Sequence, residues 1–309
     1  MHWRIGLIGY GEVGRIFAQD LRAKGLQVCV HDTKANALNA QSAELMDHAH
    51  RHGVQWKTSH AQVCANSDLV VCAVTASQTL AAAQACAPHL LSQAFFLDLN
   101  SASPGTKKAA AIDINQNGAR YVEAAVMTSV PPYRTQVPML LGGAFAAQAS
   151  TALNQLGWHT RVASDQLGVA SATKMSRSIM IKGMEAMVIE SLCTARHHGV
   201  EDAVIASLYE TFPGVDWEKQ ASYFFQRVIE HGRRRSEEMH EVAVTVSEAG
   251  LTPWLATATA QRQSHMADLA DAGVFGNKAD AGFARSPDWR IEADRLLHSV
   301  STNQHKPST

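Results

Sequence analysis

Residues 4–14 read RIGLIGYGEVG, and this stretch decides the fold of the first part of the chain. The apolar run from Arg4 to Ile8 is typical of a buried strand, and the segment from Glu12 to Lys24 has the apolar spacing of a helix. Between them lies GYGEVG (9–14), a GxGxxG pattern. This pattern between a strand and a helix predicts a dinucleotide-binding turn.

Each position of that turn has a distinct expected role. Gly9 allows the tight turn, Gly11 lets the backbone approach a pyrophosphate, and Gly14 lets the helix pack closely on the strand. Glu12 and Val13 lie in the first turn of the helix, where free amides and the helix dipole favour an anion. We therefore expect these five residues to contact the cofactor.

The second predicted strand, Leu26 to His31, is followed by Asp32. A carboxylate at this position accepts hydrogen bonds from the adenine ribose and repels a 2′-phosphate, which favours NAD over NADP. NADP remains the alternative, because Lys34 lies close enough in sequence to tolerate the phosphate. The alternative to a dinucleotide site is a glycine-rich turn followed by an ordinary surface aspartate. The combination of strand, glycine motif, helix and Asp32 argues against that alternative.

Short apolar runs continue to alternate with helical stretches. The expected strands are Asp68–Val74, Ala94–Leu99, Tyr121–Val126 and Pro138–Leu141, with a helix over Thr79–Ala87. This alternation predicts an α/β Rossmann domain, a doubly wound parallel sheet with helices on both faces. Val74 and Thr75 then lie at the carboxyl edge of the sheet, where they either contact the cofactor or simply end a strand.

The chain changes character near residue 164, so we expect a dinucleotide-binding domain over 1–164 and an all-α domain for substrate binding and dimerisation over 165–309. A long helix from Gln166 to His198 joins the two. Asp165 and Gly250 have the residue types of a helix cap and a helix stop. The further predicted helices are Asp202–Thr211, Trp217–His231, Arg233–Ala249 and Pro253–Ala272.

Composition narrows the function classes. The chain has 46% hydrophobic and 18% charged residues, enough to bury a large core, and its net charge of −1 gives no footprint for nucleic acid or an acidic membrane. No apolar run is long enough to span a bilayer, and no signal peptide fits the N-terminus. The five cysteines form no CxxC pair. We expect a cytoplasmic protein with reduced cysteines and no bound metal.

Four segments, in order, resemble the β-hydroxyacid dehydrogenase family, which includes 6-phosphogluconate and 3-hydroxyisobutyrate dehydrogenases. They are the glycine loop; DLNSASP (98–104), similar to the family's D-x-S-T-x-x-P; residues 121–143, similar to its V-D-A-P-V-S-G-G and M-x-G-G strands; and residues 168–178, similar to its G-x-x-x-x-x-K-x-x-x-N helix. The resemblance spans roughly residues 1–275. Residues 233–253 resemble a subgroup whose C-terminal domain has no well-assigned substrate.

The resemblance implies that Lys174 is the catalytic group. When a hydride leaves a carbinol carbon, the hydroxyl proton must be taken up, and the resulting ammonium stabilises the carbonyl oxygen. Burial and the nearby Arg177 would lower the pKa of Lys174. On a helix, Ser171, Lys174, Arg177 and Ser178 share one face. A solvated helix face is the alternative explanation for this lysine.

Substrate contacts are likewise implied for Ser101, Ser103, Met127, Thr128, Arg177 and Ser178, and a cofactor contact for Asn100. Several positions depart from the family pattern. Ser178 stands where the family has asparagine, and MTSVPP (127–132) replaces its serine-glycine-glycine loop. Ile181 replaces the glutamate expected in 6-phosphogluconate dehydrogenases, whose long C-terminal domain is also missing. These departures argue against 6-phosphogluconate as the substrate.

We therefore expect an NAD(P)-dependent dehydrogenase that acts on a small 3-hydroxy acid or sugar-type acid and works as a homodimer. The departures argue against the known family substrates. An imine reductase shares the architecture but generally lacks the lysine. A non-catalytic NAD(P)-binding sensor is the third hypothesis. Two further patterns have simple structural explanations: HAHRH (48–52) as a solvated helix face, and RRR (233–235) as a salt-bridged helix start.

Overall fold

The computed structural model describes residues 3–36 and 40–304. The chain divides into two compact units, Met1–Ser176 and Arg177–Thr309. The first alternates strands and helices, and the second is helical. The domain boundary at residues 164 and 165 stays a prediction.

The first unit consists of one sheet and its covering helices. The strands are β1 (Arg4–Ile8), β2 (Gln27–His31), β3 (Gln55–Trp56), β4 (Leu69–Cys72), β5 (Phe95–Asp98), β6 (Arg120–Val126), β7 (Met139–Gly142) and β8 (Thr160–Ser164). The helices are α1 (Glu12–Ala23), α2 (Ala40–Arg51), α3 (His60–Cys64), α4 (Thr79–Cys86), α5 (Pro104–Gln116) and α6 (Ala146–Gln155), with 3₁₀ turns at Thr33–Asn36, Ala76–Gln78, Ala87–His89 and Arg134–Gln136.

The strand order is β3-β2-β1-β4-β5-β6-β7-β8, which is the doubly wound Rossmann arrangement with two added strands. Neighbouring strands are parallel except for β6 and β7, which are antiparallel. The expectation of an all-parallel sheet is therefore wrong at this pair. Residues 127–138 contain only a 3₁₀ turn, whereas a parallel connection needs a full crossover, usually a helix.

The sheet is buried on both faces, which explains why its central strands are almost continuously apolar. Within β4, Leu69 and Val71 join the hydrophobic cluster on one face, and Val70 and Cys72 join the cluster on the other. This alternation is the two-residue period of a strand. Ligand-binding positions then fall where the strands end, at the carboxyl edge.

The remaining helices are α7 (Val169–His198), which begins in the first unit and continues into the second, α8 (Glu201–Thr211), α9 (Trp217–Glu248), α10 (Trp254–Asp271) and α11 (Trp289–Gln304). The predicted break of α9 at Gly232 is wrong. A Cβ at Gly232 would stand 2.6 Å from the backbone oxygen of Gln263, so this glycine allows α9 and α10 to pack closely. Gly250 follows α9 with φ of 78°, as a helix stop requires.

The second unit also buries charge between its helices. Lys182 Nζ contacts Glu238 Oε2 at 2.6 Å, and Arg235 pairs with Glu185, which also accepts a bond from Gln263. Burial lowers the pKa of Lys182, against the opposing effect of Glu238. The arginines at 233–235 lie in the middle of α9 and not at a helix start, although each of them forms an ion pair.

Candidate active site

The glycine loop follows β1, and its three glycines have different surroundings. Gly9 has φ of 93°, and a Cβ there would stand 2.4 Å from the oxygen of Ala73. A Cβ at Gly14 would stand 2.3 Å from the oxygen of Gly9. A Cβ at Gly11 would meet no atom within 4 Å. Two glycines thus permit the tight turn, and the third leaves backbone open to a ligand, as the pyrophosphate of a dinucleotide requires.

The first turn of α1 completes this loop. Glu12 is exposed and Val13 is half-buried. Gly11, the residue before the helix, has no side chain that could cap it, so the amides at the start of α1 remain able to bind an anion. The loop therefore fits a dinucleotide phosphate.

Asp32 lies at the end of β2 with 9% of its surface exposed. Its Oδ2 accepts a hydrogen bond from the backbone N–H of Tyr10 at 2.7 Å, and its Oδ1 accepts one from that of Lys34 at 2.9 Å. The carboxylate is thus fixed against the glycine loop. Each of its oxygens retains a second lone pair, which could accept a bond from a ribose hydroxyl.

The carboxyl ends of β4 and β5 are joined by Asn100. Its Oδ1 accepts a hydrogen bond from the backbone N–H of Val74 at 2.8 Å, while Thr75 is exposed beside this contact. The backbone N–H of Asn100 donates to Asp98 Oδ1 at 2.9 Å. Only 4% of the surface of Asn100 is exposed, so its side chain supports the carboxyl edge of the sheet from within the protein.

Lys174 and Ser101 come together at the same edge. The ammonium nitrogen Nζ of Lys174, on α7, donates a hydrogen bond to Ser101 Oγ at 2.6 Å, and both residues are half-buried. Ser103 is placed differently. It is fully buried, and its hydroxyl accepts a bond from the backbone N–H of Thr106 at 3.2 Å as the cap of α5.

Sequence reasoning did not assign a role to the buried side chains beneath this pair. Asp98 is fully buried and forms an ion pair with Lys107 Nζ at 2.9 Å, while the hydroxyl of Tyr121 donates to its other oxygen at 2.7 Å. Burial, and then the charge of Asp98, raise the pKa of Tyr121 well above its usual range. The available signal was a charged residue within an otherwise apolar strand, since buried charges need partners.

The remaining predicted substrate residues are not all brought to Lys174. Met127 follows β6, is half-buried, and donates its backbone N–H to the oxygen of Pro138; Thr128 beside it is exposed. Arg177 and Ser178 continue along α7 and belong to the second unit. Arg177 is exposed, and 7% of the surface of Ser178 is exposed.

The histidine pattern on α2 is more than a solvated face. Only His50 is exposed. His48 Nδ1 lies 3.0 Å from the hydroxyl of Tyr10, and Gln19 Nε2 bridges His48 and His52. Burial lowers the pKa of His48 and raises that of Tyr10 to about 12. Within residues 3–36 and 40–304, no group of three or more His, Cys, Asp or Glu side chains is arranged to hold a metal ion.

Two family models match this chain. The NAD binding domain of 6-phosphogluconate dehydrogenase matches residues 4–157, and a domain of unknown function, DUF1932, matches residues 195–266. The first match covers strands β1 to β7 and the glycine loop. The chain is thus an NAD-binding oxidoreductase with a Rossmann domain.

Solved structures extend this result over the whole chain. A conserved hypothetical protein from Sinorhizobium meliloti 1021 is 35% identical, with a TM-score of 0.74, and the match covers 96% of this chain and 97% of that one. A conserved protein of unknown function, described as structurally similar to 3-hydroxyacid dehydrogenases, is 31% identical, with a TM-score of 0.66 and coverage of 87% and 98%. The chain belongs to the 6-phosphogluconate dehydrogenase-like family, in the group with a C-terminal DUF1932 domain.

More distant structures share the fold alone. A 3-hydroxyisobutyrate dehydrogenase from Mycobacterium tuberculosis is 15% identical, with a TM-score of 0.66 and coverage of 96% and 99%. An imine reductase from Myxococcus stipitatus, in complex with NAD⁺, is 16% identical, with a TM-score of 0.54 and coverage of 96% and 100%. The predicted fold, a Rossmann domain followed by a helical region, is confirmed. In the described part of the chain, no helix is long and apolar enough to cross a membrane.

Proposed function

We propose that this protein oxidises the hydroxyl of a small 3-hydroxy acid or sugar-type acid by hydride transfer to NAD(P), with Lys174 as general acid and base. One observation carries the proposal: Lys174 Nζ lies 2.6 Å from Ser101 Oγ. Ser101 directly follows Asn100, which contacts the end of β4 beside the glycine loop. This contact supports a proton-transfer role for Lys174, because it brings the amine to the carboxyl edge of the sheet, where the glycine loop also lies.

The proton chemistry follows from the residue types. A nicotinamide dinucleotide held by the glycine loop and Asp32 would supply the acceptor for the hydride of the carbinol carbon. The neutral amine of Lys174 takes the hydroxyl proton, and the ammonium it becomes stabilises the new carbonyl oxygen. Ser101 can accept a bond from Lys174 and donate its own hydroxyl proton to the substrate, because a serine does both.

The proposed cofactor contacts are the glycine loop from Gly9 to Gly14, Asp32, Val74, Thr75 and Asn100. Those proposed for the substrate are Ser101, Ser103, Met127, Thr128, Arg177 and Ser178. Arg177 would bind the acid group, since a guanidinium pairs with a carboxylate through two parallel hydrogen bonds. Ser103 would act indirectly, through the start of helix α5, which it caps.

The test is a panel of aldonic, branched and aromatic 3-hydroxy acids with NAD⁺ and NADP⁺, followed by NAD(P)H absorbance. K174M serves as the matched control, because it keeps a long apolar side chain and removes the amine. Turnover by the wild type and not by K174M is the expected result. An absence of turnover on every acid would contradict the proposal.

Imine reduction is the second candidate, supported by the fold shared with imine reductases. The two hypotheses differ in their use of Lys174, which most imine reductases lack. Cyclic imines with NADPH, tested on the wild type and on K174M, separate them. A non-catalytic sensor would bind NAD(H) and turn over neither class of substrate.

We also propose a homodimer. The second unit exposes large apolar side chains on α7 and around the start of α10, and such surfaces on soluble proteins mark interfaces. Met180 is 64% exposed, Met187 61%, Leu251 66% and Trp254 80%. A dimeric mass by light scattering, reduced to a monomer by M187D, is the expected result. The five free, buried cysteines support the proposal of a reducing, cytoplasmic location.

A further inference from the structure

A buried carboxylate from the sheet holds the first turn of α7. Glu123, on β6, has no exposed surface. Its Oε1 accepts hydrogen bonds from the backbone N–H groups of Gly168 at 2.8 Å and Ala170 at 3.1 Å, and its Oε2 accepts one from the hydroxyl of Ser171 at 2.8 Å. The predicted cap, Asp165, is therefore wrong, because Glu123 satisfies the amides at this helix end.

The sheet is built to receive this side chain. Gly142, on β7, is the direct partner of Glu123 in the antiparallel pair. A Cβ at Gly142 would stand 2.3 Å from Glu123 Oε1, closer than real Cβ contacts allow. The missing side chain thus leaves the space that the carboxylate fills. Its negative charge is also favourable at the positive end of the helix dipole.

The first turn of α7 is followed by Lys174, the proposed catalytic residue. Ser171 and Lys174 are three residues apart and lie on one face of α7. Because the carboxylate binds both the backbone and Ser171, it fixes the helix along its axis and about it. Lys174 Nζ then meets Ser101 Oγ at 2.6 Å.

The segment that carries Ser101 is also held by a buried carboxylate, that of Asp98. Asp98 is the partner of Glu123 in the pairing of β5 with β6. It accepts the backbone N–H of Asn100, the residue before Ser101. Two neighbouring buried carboxylates therefore hold the two segments that carry Ser101 and Lys174.

We propose that Glu123 is a positioning residue, which sets Lys174 against Ser101 by holding the first turn of α7. This inference rests on the proposed function of Lys174. Glu123 itself does not touch the reacting atoms. Its removal should lower kcat, while the Kd of NADH, which depends on the glycine loop, stays within a few-fold of wild type.

The first arm of the test compares E123A with E123Q. Alanine removes all three bonds, whereas the oxygen of glutamine can still accept the two amide bonds and its nitrogen can donate to Ser171. A displacement of about 1 Å can cost about 10²-fold in rate, so we expect E123A to lose about that much kcat and E123Q to restore most of it.

The second arm is G142A, which leaves Glu123 and Lys174 chemically intact but forces the carboxylate to move. We expect its kcat to fall at least about tenfold, and it keeps the test decisive if E123A does not fold. D68N is the matched control. Asp68 binds Arg4 at the opposite, amino edge of the same sheet, so D68N should lower the melting temperature and leave kcat unchanged.

All variants are assayed on folded protein, well below each melting temperature, beside K174M. If K174M is inactive but E123A and G142A keep wild-type kcat, the positioning role is wrong and the proposed function stands. If K174M keeps its turnover, the proposed function falls and the inference falls with it. If D68N, at matched stability, lowers kcat as much as E123A does, the loss reflects reduced stability and Glu123 has a purely structural role.

Discussion

Lys174 Nζ donates a hydrogen bond to Ser101 Oγ at 2.6 Å, joining the start of α7 to the loop after β5. If the amine is the proton-transfer group, K174M should lose about 10²–10⁴-fold in kcat, the usual contribution of such groups. The Kd of NADH should not change, because the glycine loop does not use the lysine. Initial rates and fluorescence titration of NADH, run side by side, measure both quantities.

Arginine at this position provides the control for charge. K174R keeps a cation near Ser101, but a guanidinium does not give up its proton near neutral pH. We expect K174R to be as inactive as K174M. Near-normal turnover by either variant would contradict a role for Lys174 in proton transfer.

Arg177 is expected to bind the acid group of the substrate. Its side chain is exposed and forms no ion pair with the described residues, which argues against a structural salt bridge. R177A should therefore raise KM for a hydroxy acid at least about tenfold, the loss expected for a charged hydrogen bond, and barely change the melting temperature. A large fall in melting temperature with unchanged KM would favour the structural role.

Asp32 should set the choice of cofactor. Its carboxylate is fixed by the backbone N–H groups of Tyr10 and Lys34, so its charge cannot easily move away from a 2′-phosphate. We expect the wild type to bind NADH more tightly than NADPH, and D32N to reduce that preference at least about tenfold by removing the repulsion. Tighter binding of NADPH by the wild type would refute the assignment.

The local sequence was sufficient to predict the Rossmann fold. The GxGxxG pattern, the runs around β1, β4 and β5, and the extent of α7 follow from short-range periodicity. Features set by distant contacts were not predictable in the same way. In the sequence, Gly232 has the residue type of a helix break, and only its contact with Gln263 explains why a glycine stands inside α9. Strand β3 has two residues, which is too short to give a recognisable sequence pattern.

The residues of the candidate site also differ in whether the local sequence could locate them. The glycine loop and Lys174 belong to motifs of consecutive residues, so they could be located from the sequence. Glu123 gains its role only because β6 places it beneath the start of α7, 45 residues from Gly168 in sequence. Ser103 shows the converse, since its motif position indicates substrate binding while its hydroxyl caps α5.

The ion pair of Asp68 and Arg4 gives stability a predictable pH dependence. The hydrogen bond and charge of Arg4 lower the pKa of Asp68 below its usual value. A lowered carboxyl pKa stabilises the fold above the unfolded-state pKa of about 3.9, and this contribution is lost as pH falls through the lower folded-state pKa. Urea unfolding should therefore show D68N less stable than wild type at pH 7, with the difference shrinking by pH 3. A difference that does not depend on pH would contradict this.

Gly232 and Gly183 lie inside long helices, and replacing each with alanine should change stability in opposite directions. Alanine gains about 1 kcal/mol of helix propensity over glycine in either helix. At Gly183 the new Cβ would meet Leu255 at 3.5 Å, an ordinary contact, so G183A should be neutral or stabilising. At Gly232 it would stand 2.6 Å from the backbone oxygen of Gln263, which cannot move without shifting α10.

Overpacking of this kind typically costs about 1–3 kcal/mol, which exceeds the gain in propensity. G232A should therefore have a lower free energy of unfolding than wild type, and G183A an equal or higher one. Urea denaturation of both variants at one protein concentration measures this, with the concentration fixed because the stability of the proposed dimer would depend on it. Stabilisation by G232A would show that α9 and α10 are not held at the separation described, and that Gly232 is not needed for their packing.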